Sequence, residues 1–169
     1  MADLDEETET AISTEEALKF VDRYYKAMES YRATIASLYV KPTISADGKS
    51  LPSIVYNGHI YSSGDALQKA FLEEMPPTHF DIQSVDSHCL NPSYLAEGAH
   101  ASNPGFDINM SILVAVSGSV RLEAKRSAPL QGFSESLILV PNAPTTSRFN
   151  KGKPIKDYLV QSQTFRLVS

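Results

Sequence analysis

A single cysteine among 169 residues, Cys89, excludes an internal disulfide and suits a reducing compartment such as cytosol or nucleus. No run approaches the roughly 18 apolar residues that a membrane helix needs, so no membrane partner is expected. The N-terminus is acidic with no apolar stretch behind it, and does not read as a secretory signal. The glycines form no phosphate-cradling run such as GxGxxG. Ser117-Gly118-Ser119 falls inside a strand pattern, so it reads as a small-residue bend rather than a nucleophile at a strand-to-helix elbow. The four histidines (His59, His79, His88, His100) are scattered, and the paired short spacings of a structural zinc site are absent. Neither a metal nor a cofactor is expected.

What is present suits one domain. The chain is 42% hydrophobic, enough for one core, since a chain of this size buries roughly 70% of its unfolded surface. The net charge of −5 hides an asymmetry. Residues 1–16 hold seven acids and no base, whereas from Arg121 onward eight bases face three acids. We therefore expect a solvated acidic tail over 1–12 and a single domain over 13–169.

Ser13 with Glu16 forms a capping-box pattern, followed by Leu18, Val21, Tyr25 and Met28 at helical steps, with Phe20 and Tyr24 beside them. A second short helix, capped by Ser30, would carry Ile35, Leu38 and Tyr39 and stop at Pro42. Residues 42–53 read as a loop around Asp47-Gly48. Asn57-Gly58 between Ile54-Val55-Tyr56 and His59-Ile60-Tyr61 predicts a type I′ hairpin. Ser62 or Ser63 caps a further helix with Leu67, Phe71 and Met75 on one face, and Pro76-Pro77 ends it. Thereafter the period is two. Strands are expected at Phe80–Val85, at Met110–Val116 with a bend at Gly118, at 133–140 and at 157–168. Loops are expected from Leu90 to about Gly105 and from Pro141 to Pro154. Helices followed by antiparallel strands make an α+β domain.

For proton-transfer chemistry, Asp81, Asp86, Asp107 and Glu135 lie on or beside strands, and Tyr24, Tyr25, Tyr31 and Tyr39 could supply a phenol in a helix–sheet cavity. The simpler reading is that these acids sit at edges or in loops and face water. No catalytic residue is assigned.

The last strand says more. Alternation in Thr164-Phe165-Arg166-Leu167 puts Phe165 and Leu167 under the helices and Arg166 opposite, with Thr164, Ser162 and Val160. Leu113 and Ala115 should share that face. A face of Leu, Ala, Val, Thr, Ser and one Arg suits an interface whose partner supplies a carboxylate; an Arg snorkelling at an exposed sheet end is the alternative. A second candidate is the basic cluster of Lys125, Arg126, Arg148, Lys151, Lys153 and Lys156 around the last strands. Interleaved with Phe149, it could touch RNA phosphates weakly and without base specificity, or be a solvated loop.

Several strings, in order, resemble a known family. Phe20-Val21-Asp22-Arg23-Tyr24-Tyr25, Leu38-Tyr39, Tyr56-Asn57-Gly58 and the proline-ended helix are similar to the nuclear transport factor 2-like family. Pro76-Pro77-Thr78-His79-Phe80, Val85-Asp86, residues 113–123 and Thr164-Phe165-Arg166-Leu167 resemble one branch of it. That branch is the small subunit of the heterodimeric mRNA export receptor, in fungi the mRNA transport regulator. The similarity runs from about residue 16 to the end. The acidic N-terminus and the long segments at 42–53 and 90–108 depart from metazoan members and fit the fungal branch.

The resemblance implies a cone of N-terminal helices packed on a strongly bent antiparallel sheet. It implies a non-catalytic subunit that pairs sheet-to-sheet with the related domain of a large subunit, where Arg166 meets a partner acid. It implies carriage of mRNA, and in fungi of preribosomal subunits, through nuclear pores, with shuttling between nucleus and cytoplasm and pore proteins engaged mainly by the large subunit. A homodimeric carrier of GDP-bound Ran and a small-molecule enzyme remain the rival readings on this fold.

Overall fold

The computed structural model describes residues 5–92, 110–123, 127–142, 149–150, 153–154 and 158–168. Helix α1 runs Glu6–Ser30, and the Asp5 carboxylate accepts from the Thr8 N–H at its start. Glu6, Glu7 and Glu9 fill the first turn, where negative charge meets the positive end of the helix dipole. The helix therefore begins at Glu6 rather than Ser13, and most of the supposed tail is helical. Ser13 makes no capping box; it is buried and its hydroxyl donates to the Thr10 carbonyl. Ala17, Phe20, Val21, Tyr24, Tyr25 and Met28 form the buried stripe, while Leu18, expected on it, is 52% exposed.

A 3-10 helix, Arg32–Leu38, follows with Tyr31 rather than Ser30 at its cap. The Arg32 guanidinium donates to the carbonyls of Met28, Phe71, Met75 and Pro76, tying the end of α1 to the second helix. Two short strands, β1 (Thr43–Ile44) and β2 (Ser50–Leu51), pair within the expected loop, with Gly48 at φ +84° near their turn. The hairpin of β3 (Ser53–Tyr56) and β4 (His59–Tyr61) forms as expected, with Asn57 and Gly58 both at positive φ, as a type I′ turn requires. Ser63 caps α2 (Gly64–Glu73), which buries Leu67 and Phe71.

The long strands are β5 (His79–Asn91), β6 (Ser111–Arg121) and β7 (Gln131–Pro141). Short β8 (Phe149–Asn150) and β9 (Lys153–Pro154) pair with each other, and β10 (Tyr158–Val168) closes the main sheet in the order β4-β3-β10-β7-β6-β5. Its neighbours are antiparallel except β3 and β10, which run parallel, so the sheet is mixed. A bulge between Ile82 and Ser84 lies opposite Gly118, where an added Cβ would stand 2.1 Å from the Asp81 carbonyl oxygen.

One face of the sheet packs on the helices. Phe133 and Phe165 stack at 5.4 Å, and Phe165 stacks on Tyr56 at 4.2 Å. Glu135 of β7 shares this interior and is 1% exposed. Its Oε1 accepts from the Tyr25 hydroxyl at 2.7 Å; its Oε2 accepts from the Tyr24 hydroxyl and the Gln163 amide, each at 2.8 Å. Gln163 in turn accepts from the Tyr39 hydroxyl. Burial raises the Glu135 carboxyl to about 7 against the pull of these donors, and the same burial pushes the Tyr24, Tyr25 and Tyr39 phenols up.

Two outcomes follow from this interior. Gly118→Ala is expected to lower stability by about 2 kcal/mol or more, because its methyl must displace β5 backbone; a thermal melt equal to wild type would show that the strands part freely there. The second concerns pH. The folded Glu135 carboxyl, at about 7, holds a proton that the unfolded chain releases above 4.5. Its contribution is full below pH 4.5 and falls as pH rises through about 7, by on the order of 3 kcal/mol in all. Urea titrations between pH 4.5 and 8 should show that decline in wild type and a much flatter profile in Glu135→Gln; equal profiles would assign the decline to other groups.

Candidate functional site

Alternation turns every second residue of the long strands away from the helices. On β6 the buried Val114 and Val116 leave Leu113, Ala115 and Ser117 pointing outward. On β7 the outward residues are Ser134, Ser136 and Ile138, either side of the buried Glu135 and Leu137. On β10, Gln163 and Phe165 face in, while Ser162, Thr164 and Arg166 face out. The register aligns these as three rows: Leu113–Ile138–Ser162, Ala115–Ser136–Thr164 and Ser117–Ser134–Arg166. The middle row continues through Val55 to Ile60, which is 82% exposed, and in the other direction to Asp86.

The centre of this face is short, uncharged and open to solvent. Serine, alanine and threonine leave room for a second sheet at the roughly 10 Å spacing of face-to-face packing. Depletion of charge at the centre of a patch marks interfaces rather than ordinary surface. Arg166 is the exception. It is exposed and makes no ion pair among the described residues. Its backbone is held from beneath: the Asn57 N–H donates to the Phe165 carbonyl at 2.7 Å, and the Leu167 N–H donates to Asn57 Oδ1 at 3.3 Å. The Asn57-Gly58 turn thus fixes the base of a side chain whose head is free. A guanidinium presents donors in a fork that matches a carboxylate in two parallel bonds.

Five of the six residues expected on this face are there: Leu113, Ala115, Ser162, Thr164 and Arg166. Val160 is not. It is fully buried opposite Leu139, because a bulge between Val160 and Ser162 inserts one residue and reverses the alternation. The basic candidates Lys125, Arg126, Arg148, Lys151 and Lys156 lie outside the described residues; Lys153 contributes backbone to β9, and its side chain is also outside them. Ser134, Ser136 and Ile138 were absent from the sequence-based face, although the period-two pattern of 133–140 contains them.

The acid–tyrosine expectation divides. Asp81 and Asp86 face water as the simpler reading holds, and Asp107 lies outside the described residues. Glu135 is the reverse case, buried and bonded to two of the four tyrosines. It shares the parity of Phe133 and Leu137, a signal legible in the sequence. Tyr39 reaches it through Gln163, and Tyr31 is exposed. No described helix is long and apolar enough to cross a membrane.

Known proteins resemble this chain in sequence and in fold. The chain is 27% identical to an NTF2-related export protein of Caenorhabditis elegans over 153 residues, 90% of this chain and 86% of that protein. It is 24% identical to NTF2-related export protein 1 of Bos taurus, with 85% of each chain covered. Its fold is similar to a chain in the solved complex of a Sac3N peptide with Mex67:Mtr2, at a TM-score of 0.71 and 22% identity over 92% of this chain and 99% of that one. The fold is also similar to a putative dehydratase of Streptomyces avermitilis, at a TM-score of 0.59 and 14% identity over 94% and 98% of the two chains. The Nuclear transport factor 2 (NTF2) domain matches residues 16–167, and the chain belongs to that family.

Proposed function

We propose that this protein is the non-catalytic small subunit of a nuclear export receptor. It pairs through its outer sheet face with the related NTF2-like domain of a large subunit of the Mex67 type. The observation that carries the reading is Arg166, fixed at its backbone and free at its head on an uncharged, serine-rich face. The similarity to NTF2-related export proteins and to an Mtr2-containing complex supports it. Both oxygens of Glu135 are taken by core side chains, which favours a structural over a catalytic carboxylate.

The mechanism is thermodynamic. Covering the sheet face stabilises both domains, and the pair presents composite surfaces that neither has alone. The cargo on this reading is mRNA and, as in fungal relatives of the branch, preribosomal subunits. The complex works in the nucleus and at the pore, reaching pore proteins through the large subunit and shuttling to the cytoplasm. The basic cluster at Lys125, Arg126, Arg148, Lys151, Lys153 and Lys156 adds a weak RNA contact.

Arg166→Glu is expected to abolish co-purification with the NTF2-like domain of Mex67 while the isolated variant melts within a few degrees of wild type. Normal co-purification would remove this face from the reading. Replacing Lys151, Lys153 and Lys156 by Glu should weaken RNA binding and reduce the slope of log affinity against log salt by about 2, with pairing unchanged. Unaltered RNA affinity at low salt would remove the loop.

A further inference from the structure

The pairing face carries charge of opposite sign on two of its strands, β10 and the edge strand β5. Arg166 stands on β10, and its row runs through Ser134 and Ser117 to Ser84 on β5. On β5 two exposed carboxylates flank that row. Asp86 lies two residues to one side, paired with Ala115; Asp81 lies to the other side beyond the bulge, paired with Ser119. Three strand spacings, roughly 14 Å, separate β5 from β10. Between them the outward side chains of β6 and β7 in these rows are Leu113, Ala115, Ser117, Ser134, Ser136 and Ile138.

Asp86 is 69% exposed and only lightly engaged. The Ser87 N–H donates to its Oδ1 at 3.0 Å, and His88 Nε2 stands 3.3 Å from its Oδ2. Each oxygen has one such neighbour, and the exposed carboxylate keeps lone pairs for a stronger cation.

Resting on the pairing proposed above, we infer that Asp86 is a second charged anchor of the face, taking a lysine or arginine from the partner's last strand. The argument is one of orientation. A related domain that packs face to face about an approximate two-fold axis along the strands lays its own last strand over β5 and its own β5 equivalent over β10. A partner with a cation on the first and a carboxylate on the second then meets opposite charge on both strands. Any docking that lays last strand over last strand opposes like charges, a repulsion that selects the register as much as the attraction does. Arg166 alone cannot do this, since one charge defines a contact but no direction.

The test uses the full chain and, as probe, the NTF2-like domain of Chaetomium thermophilum Mex67, with affinities measured calorimetrically at two salt concentrations. Asp86→Lys is expected to bind at least tenfold more weakly than wild type, and Asp86→Asn to bind several-fold more weakly with a shallower salt dependence. Both should melt close to wild type, because Asp86 is exposed and stands outside the buried core. If Asp86→Lys binds like wild type while Arg166→Glu does not, the second anchor is wrong and the pairing face stands. If both variants bind like wild type, the pairing face is wrong as well. Failure of wild type itself to bind the probe overturns both.

Discussion

A carboxyl group buried without a counter-charge organises the interior of this protein. Glu135 is matched by hydrogen bonds alone: two phenols from α1 and one amide from β10, with Tyr39 joined through that amide. Leaving any of these groups unpaired in an apolar core costs on the order of 1–3 kcal/mol, so the helix, the residue that follows the 3-10 segment and the two central strands are held to one mutual position. The outer face inherits that position. Ser134 and Ser136 flank Glu135 on the same strand and point the other way, so the hub and the centre of the face are one rigid piece of backbone.

Elements governed by short-range chemistry were legible in the sequence. The Asn57-Gly58 hairpin, the Ser63 cap, the proline-ended α2 and the alternation of β6 each follow from a few adjacent residues. The start of α1 was misread because charge without apolar residues describes a solvated tail and a helix N-terminus equally well; Asp5 and its bond to Thr8 decide between them. Leu18 failed because Ala17, a smaller residue, takes the buried position at its turn.

Two other misreadings have a common cause in pairing between distant strands. A bulge inserts a residue that no alternation announces, so Val160 lies inside while Ser162, Thr164 and Arg166 lie outside. Glu135 was placed in water because a lone acid in a strand usually sits there; its donors come from residues more than a hundred positions earlier and from Gln163. The bulge leaves the outward placement of Arg166 and Thr164 unchanged, because both lie beyond the shift.

The alternation of the long strands also bears on how such a protein changes over time. Side chains on the outer face point away from the aromatic interior, so substitutions there weigh on which surface is recognised more than on folding. A change on that surface shifts recognition first, whereas a change in the interior disturbs packing first. A duplicated copy of such a gene could acquire a new companion through a handful of surface changes on an unchanged chassis. One architecture can in this way yield a lineage of proteins that share a skeleton and differ in the company they keep.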